Sequence, residues 1–84
     1  MARVQVRVQV RYFATLREQL GDGGARRVRA GTTVGAVWEG VLAERPGLRR
    51  LQVRFAVNEH YVEADRVLQD GDEVAVFPPV SGGC

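Results

Sequence analysis

Residues 3–10 read Arg-Val-Gln-Val-Arg-Val-Gln-Val, and this strict alternation constrains the fold more than any other stretch of the chain. Successive side chains on a strand point to opposite faces. A β-branched apolar residue at every second position therefore predicts a strand with one face in a core and the other in water. Val4, Val6, Val8 and Val10 form the predicted buried set. A chain of 84 residues is expected to form one domain with a small core. The strand is therefore expected in a single sheet with one or two helices.

The periodicity then changes. Residues 12–20 shift to helical spacing, with Phe13, Leu16 and Leu20 at i, i+3 and i+7. Gly21-Asp22-Gly23-Gly24 predicts a helix stop and a loop. Residues 25–30, centred on Val28, predict a short second strand. Thr33 is placed to cap the strongest helix signal. That signal is the apolar stripe of Val34, Val37, Trp38, Val41 and Leu42, and it ends at Arg45-Pro46-Gly47 because proline cannot continue a helix. Residues 53–58 predict a third strand with Val53, Phe55 and Val57 inward. Asn58-Glu59 predicts a turn, and His60-Tyr61-Val62 a short strand. Leu68 is followed by the tight turn Asp70-Gly71-Asp72. Residues 73–77 predict the last strand, with Val74 and Val76 inward and Phe77 on the other face. Pro78-Pro79 removes two backbone donors and ends the ladder. This order predicts an α+β roll, a sheet of about five strands with one main helix on one face. The last strand is expected in the centre, beside the first.

Composition narrows the chemistry. The single cysteine, Cys84, rules out an intrachain disulfide and a multi-cysteine metal site within one chain. The single histidine, His60, rules out a two-histidine metal site and reads as a surface turn residue. No metal site and no cofactor bound by the chain itself is expected. All twelve basic residues are arginine, spread without a long block, and the net charge is +2. This scatter reads as a solvated surface, with no nucleic-acid partner expected. No stretch approaches a membrane span or a signal peptide, so a cytoplasmic protein without a membrane partner is expected. Asp70, Asp72 and Glu73 read as a turn plus an acidic surface facing a basic partner, and Trp38 reads as core.

After Phe77 the composition changes abruptly. Residues 1–77 read as the folded domain and 78–84 as a flexible C-terminal tail. Paired glycines at a chain end alone signal little, because final residues commonly fray. The stiff Pro78-Pro79 exit changes the weighting. Prolines reduce the conformations lost when a tail is inserted into a partner, and Gly82 and Gly83 carry no side chain to block a narrow tunnel. Ordering each tail residue costs about 1–2 kcal/mol, which favours a short reach.

The block Asp70-Gly71-Asp72-Glu73-Val74-Ala75-Val76-Phe77-Pro78-Pro79-Val80-Ser81-Gly82-Gly83 resembles the C-terminal signature of the MoaD/ThiS-type ubiquitin-like sulfur carriers. Within them it is most similar to the small subunit of molybdopterin synthase. Residues 10–18, Val-Arg-Tyr-Phe-Ala-Thr-Leu-Arg-Glu, and Ala56-Val57-Asn58 support the resemblance. It implies the β-grasp fold. It also implies that an activating enzyme uses ATP to adenylate the Gly83 carboxylate, and that a sulfur donor converts the acyl-adenylate to a thiocarboxylate. The large synthase subunit would then accept the tail. Phe13, Tyr61 and Phe77 match positions that form the family's partner-binding surface. The residues themselves leave open whether these three are exposed or core. Pro78, Pro79, Val80, Ser81 and Gly82 would contact the partners in the tail channel.

Cys84 departs from the pattern, since it converts the Gly83 carboxylate into an amide that cannot be adenylated. The favoured reading is a precursor trimmed by a JAMM-type protease. A carrier that builds cysteine on its own tail and a tolerated extension are the alternatives. For the whole chain, the alternatives are a carrier for cysteine, thiamin or tRNA thiolation, or a non-catalytic ubiquitin-like interaction module. A small enzyme is weakest, for want of a catalytic constellation. The precursor reading predicts that protein purified from its native cells has lost one cysteine residue by intact mass spectrometry. The full-length mass alone, in cells with an active sulfur pathway, refutes it.

Overall fold

The computed structural model of the chain describes residues 4–79. The valine alternation forms strand β1, Gln5–Tyr12, in which Val6, Val8, Val10 and Tyr12 are buried. Val4 lies outside the strand and is 78% exposed, contrary to its predicted place in the core. Tyr12 continues the alternation instead of opening a helix. Helix α1 is therefore shorter than expected, Thr15–Leu20, and the chain turns into it at Ala14, whose φ is 56°. Leu16 is fully buried and Leu20 packs against the core, but Phe13 precedes the helix and stays exposed.

Strand β2, Gly23–Arg29, begins two residues before the predicted start, and Ala30 lies beyond it. Gly23 and Gly24 are not loop residues: they pair antiparallel with Arg11 and Val10. The reason is local crowding. Gly23 has a φ of 102°, and a Cβ there would collide with the Val10 carbonyl oxygen.

Helix α2, Val34–Glu44, forms as the stripe predicts, with Val34, Val37, Trp38, Val41 and Leu42 buried. The Thr33 Oγ1 accepts from the Ala36 N–H at 3.1 Å. The first-turn amides, which no helix can satisfy internally, donate to a following segment: Val34 to the Arg66 carbonyl at 2.9 Å and Gly35 to the Ala64 carbonyl at 2.8 Å. A single 3₁₀ turn, Pro46–Arg50, follows α2 and buries Leu48. α2 ends before Pro46, as the sequence predicts.

Strand β3, Arg54–Val57, is shorter than the predicted 53–58. Strand β4, His60–Val62, follows a turn in which Asn58 and Glu59 both have positive φ, 51° and 71°, the geometry that matches strand twist in a two-residue hairpin. Strand β5, Glu73–Phe77, has the predicted bounds, with Val74 and Val76 buried. The sheet order is β2-β1-β5-β3-β4. β5 is parallel to β1 and antiparallel to β3, so the last strand is central. The core lies between the sheet and α2, with Leu16, Leu48 and Leu68 closing its edges. This is the predicted five-stranded α+β roll. No helix among the described residues is long and apolar enough to cross a membrane.

Of the acidic residues at the start of β5, Asp70 is exposed and Glu73 half-exposed, but Asp72 is not on the surface as the sequence suggests. Asp72 is only 6% exposed. Its carboxylate accepts from the Gln69 N–H at 2.7 Å and the Asn58 amide Nδ2 at 2.9 Å. The Asn58 Oδ1 accepts from the Glu73 N–H at 3.0 Å, and the Asn58 N–H donates to the Glu73 carbonyl at 2.8 Å. Asp70 accepts from the Arg7 N–H at 2.8 Å, and Glu73 pairs with Arg11 at 3.2 Å. These residues fasten the start of β5 to β1 and to the β3–β4 turn. Removing a charged acceptor leaves buried donors unsatisfied. Asp72→Ala should therefore lower stability by about 2–3 kcal/mol in urea unfolding. A loss below about 0.5 kcal/mol, the range of ordinary surface changes, would show that the clamp contributes little.

Candidate functional site

The site is the end of β5 and the sheet face beside it. Pairing on both sides carries the backbone of β5 to its last residues: Tyr12 aligns with Val76, and Arg54 with Phe77. The Phe13 N–H still donates to the Val76 carbonyl at 3.2 Å. Pro78 and Pro79, both half-buried, then follow without an N–H to offer either neighbour. The chain thus leaves the sheet from its most restrained strand. Val80, Ser81, Gly82, Gly83 and Cys84 lie outside the described residues.

Strand alternation divides β5 between two faces. Val74 and Val76 enter the core, while Glu73, Ala75 and Phe77 take the opposite face. Across that face Ala56 is aligned with both Ala75 and Tyr61. Two alanines in the middle of the sheet leave space for an aromatic ring to lean inward. Tyr61 does so, and its ring lies 5.7 Å from that of Phe77, at an interplanar angle of 55°. Ala56, aligned with Tyr61 and Ala75, is buried although it faces away from the core.

Of the three aromatic residues whose exposure the sequence left open, Tyr61 is 79% exposed, Phe13 is 46% exposed and Phe77 is half-buried. None belongs to the buried core. Phe13 follows the last residue of β1, the strand that pairs with β5. An open groove of about 450 Å³ runs from Val53 and Arg54 past Tyr61 and Glu63 to Pro79. The arrangement is an aromatic surface with a charged margin, and the tail starts at its rim. Such a surface can bind a partner and position a chain end. His60 is exposed and its Nδ1 lies 3.1 Å from the Asn58 carbonyl. Among the described residues no group of three or more His, Cys, Asp or Glu is placed to hold a metal ion.

Sequence reasoning missed Asn58 and Asp72 as the residues that fix the base of β5. The signal was present in the Asn58-Glu59 turn and the Asp70-Gly71-Asp72 turn, but their pairing spans 14 positions and needs the fold.

The sequence pattern of the ThiS family matches residues 10–83. The chain belongs to the ThiS family. The match takes in β1 from Val10, the aromatic face and both glycines of the tail. Curated relatives of this family member include the molybdopterin synthase sulfur carrier subunit of Escherichia coli (strain K12), 36% identical over 80 residues, which cover 90% of this chain and 99% of that one. The human protein of the same name is 50% identical over 52 residues, 56% of this chain and 59% of that one. Small archaeal modifier protein 3 of Haloferax volcanii is 40% identical over 90 residues, with 90% and 98% of the two chains covered. Among solved structures, a Haloferax volcanii protein superposes with a TM-score of 0.80 at 32% identity, covering 99% of this chain and 92% of that one. A chain of the complex of subunits 1 and 2 of the molybdopterin-converting factor from Helicobacter pylori has a TM-score of 0.60 at 26% identity, covering 93% and 100%. The fold is the ubiquitin-like β-grasp.

For this ThiS-family chain, the aromatic face and the core should separate in mutagenesis. Tyr61→Ala should change stability by no more than about 0.5 kcal/mol, whereas Leu16→Ala should cost about 2–5 kcal/mol. Chemical denaturation of the two variants checks this, and a large loss in the first would assign Tyr61 to the structural framework.

Proposed function

We propose that the chain is the sulfur carrier subunit of a molybdopterin synthase, with Gly83 as the residue that carries sulfur. The observation that supports this most strongly is the position of the tail. In a chain that aligns with sulfur carrier subunits over nearly its whole length, the paired glycines continue from the central strand, just past the Pro78-Pro79 exit. Four residues, Val80 to Gly83, can reach at most about 14 Å beyond Pro79, so the partner's catalytic groups must come to the rim of the aromatic face.

The chemistry divides between carrier and partners. The Gly83 carboxylate attacks the α-phosphorus of ATP within an activating enzyme, and pyrophosphate leaves. A persulfide sulfur of the donor attacks the acyl carbon and expels AMP. A thiolate of the donor or the activating enzyme then attacks the donor's own sulfur in the S–S bond, forming a new disulfide there and expelling the thiocarboxylate on Gly83. The large synthase subunit accepts this tail, as the assembly formed by the Helicobacter pylori relative suggests. Phe13, Tyr61 and Phe77 would form the docking face, and Pro78 to Gly82 the segment threaded toward the reacting centre. The chain contributes the acyl group and its placement; ATP is bound by the activating enzyme. Cys84 must first be hydrolysed away, which a JAMM-type protease would do. Consumption of ATP is consistent with the expected cytoplasmic location.

Two measurements test this reading. A form ending at Gly83 should support ATP–pyrophosphate exchange by its activating enzyme, and the form ending at Cys84 should not until trimmed. Absence of exchange from both would refute carrier function. Phe77→Ala should weaken the complex with the large subunit by about tenfold to a hundredfold, the range of a buried aromatic anchor, measured by calorimetry on a variant whose unfolding midpoint is also recorded.

The likeness to a small archaeal modifier supports a second use of the same group, transfer of the Gly83 acyl to an amine of another protein. A higher-mass adduct in cells, abolished by deleting Gly82 and Gly83, would distinguish this use from sulfur transfer.

A further inference from the structure

The edge of the sheet opposite β4 has a distinct chemistry of its own. Among the described residues no strand pairs with the outer side of β2. Which backbone groups face that side follows from two hydrogen bonds at the ends of the β1–β2 ladder. The Ala30 N–H donates to the Val4 carbonyl at 2.9 Å, and the Tyr12 N–H donates to the Asp22 carbonyl at 3.4 Å. Bonded pairs alternate with non-bonded pairs in an antiparallel ladder. The pairs bonded to β1 are therefore Val28 with Val6, Arg26 with Val8 and Gly24 with Val10. Ala25, Arg27 and Arg29 turn their N–H groups outward, and Ala25 and Arg27 their carbonyls. The Arg29 carbonyl is already taken by the Thr32 N–H at 3.0 Å.

An exposed strand edge is a template for another strand, and this one is seven residues long, against three for β4 at the other edge. Its charge decides what can join it. Arg26, Arg27 and Arg29 lie on β2, and Arg7 stands directly opposite Arg27. The ion pairs formed among the described residues involve none of these four. A second copy meeting this edge through its own would bring like charges together, which disfavours the pairing. A strand with carboxylates opposite Arg27 and Arg29 would gain both the free backbone bonds and the cross-strand charge pairs. On the helix side, the edge borders a groove of about 410 Å³ whose walls include Tyr12, Leu20 and Val41, with Arg26, Arg45 and Glu44 also lining it. Alternate residues of an added strand would face this groove, and apolar side chains fit its walls.

We propose that the outer edge of β2 accepts an extended acidic segment of a partner protein as a sixth strand of the sheet, with carboxylates over the arginine face and apolar residues toward the groove. This surface lies on the opposite edge of the sheet from β4 and Tyr61, and its use does not depend on sulfur chemistry at Gly83.

The test uses the full chain, labelled with ¹⁵N, and an acetylated nine-residue peptide that alternates glutamate with valine. The peptide should slow hydrogen exchange at the Ala25, Arg27 and Arg29 amides by at least about tenfold, and a lysine–valine counterpart should not. Ala25→Pro removes one outward donor at an edge position that tolerates proline, and should abolish the protection while the α2 resonances stay in place. Arg27→Glu keeps the edge backbone and should weaken the peptide at least about tenfold. Absence of protection at the three amides overturns the proposal, as does equal binding of the lysine peptide. Protection that appears without peptide at high protein concentration assigns the edge to a second copy and also overturns it. Displacement of the peptide by a short oligonucleotide that leaves the three amides unprotected assigns the arginines to phosphate, with the same consequence.

Discussion

The fold depends on one strand being held from both sides. β5 is five residues long, and its neighbours β1 and β3 run in opposite directions, parallel and antiparallel to it. A strand with ladders on both edges has its backbone groups satisfied in the sheet, so its end is fixed in position. The buried faces of Val74 and Val76 tie the same strand to α2 and Leu16. The proposed site is referred to that strand: Phe77 stands on it, the Tyr61 ring lies beside Phe77, and Pro78-Pro79 follow it.

The turn chemistry serves the same end. Asp72 and Asn58 are polar residues in a chain with a small core, and their burial would be costly without partners. Each finds several, and among the described residues no buried side-chain nitrogen or oxygen lacks a hydrogen-bond partner. The outcome is a junction in which β1, β3 and β5 are joined at one end by backbone and side-chain hydrogen bonds. At the other end of β5 two prolines stop the pairing. The strand is thus anchored where it enters, and its pairing ends at the prolines where it leaves.

The two sides of the sheet divide the work. One face and α2 make the core. The other carries arginines over β1 and β2 and aromatic residues over β4 and β5, with Ala56 and Ala75 between. The small residues are as informative as the large ones, since without them Tyr61 could not lie against Phe77. Arginine with no lysine gives the surface permanent charge and planar donors.

Local pattern was sufficient for most of the elements. The valine alternation specified β1, the apolar stripe and Thr33 specified α2, and Pro78-Pro79 marked the end of β5, because each signal is written within one or two turns of chain. The errors fell where a residue answers to something distant in sequence. Gly23 and Gly24 read as loop until Val10 is seen beside them; Phe13 read as helical until its bond to Val76 is seen. Asp72 read as surface until Asn58 closes over it. Whether Tyr61 and Phe77 face water together, and which edge of β2 is open, were settled only by the order and register of the strands. Those depend on pairing between segments far apart in the chain, and no local periodicity encodes it.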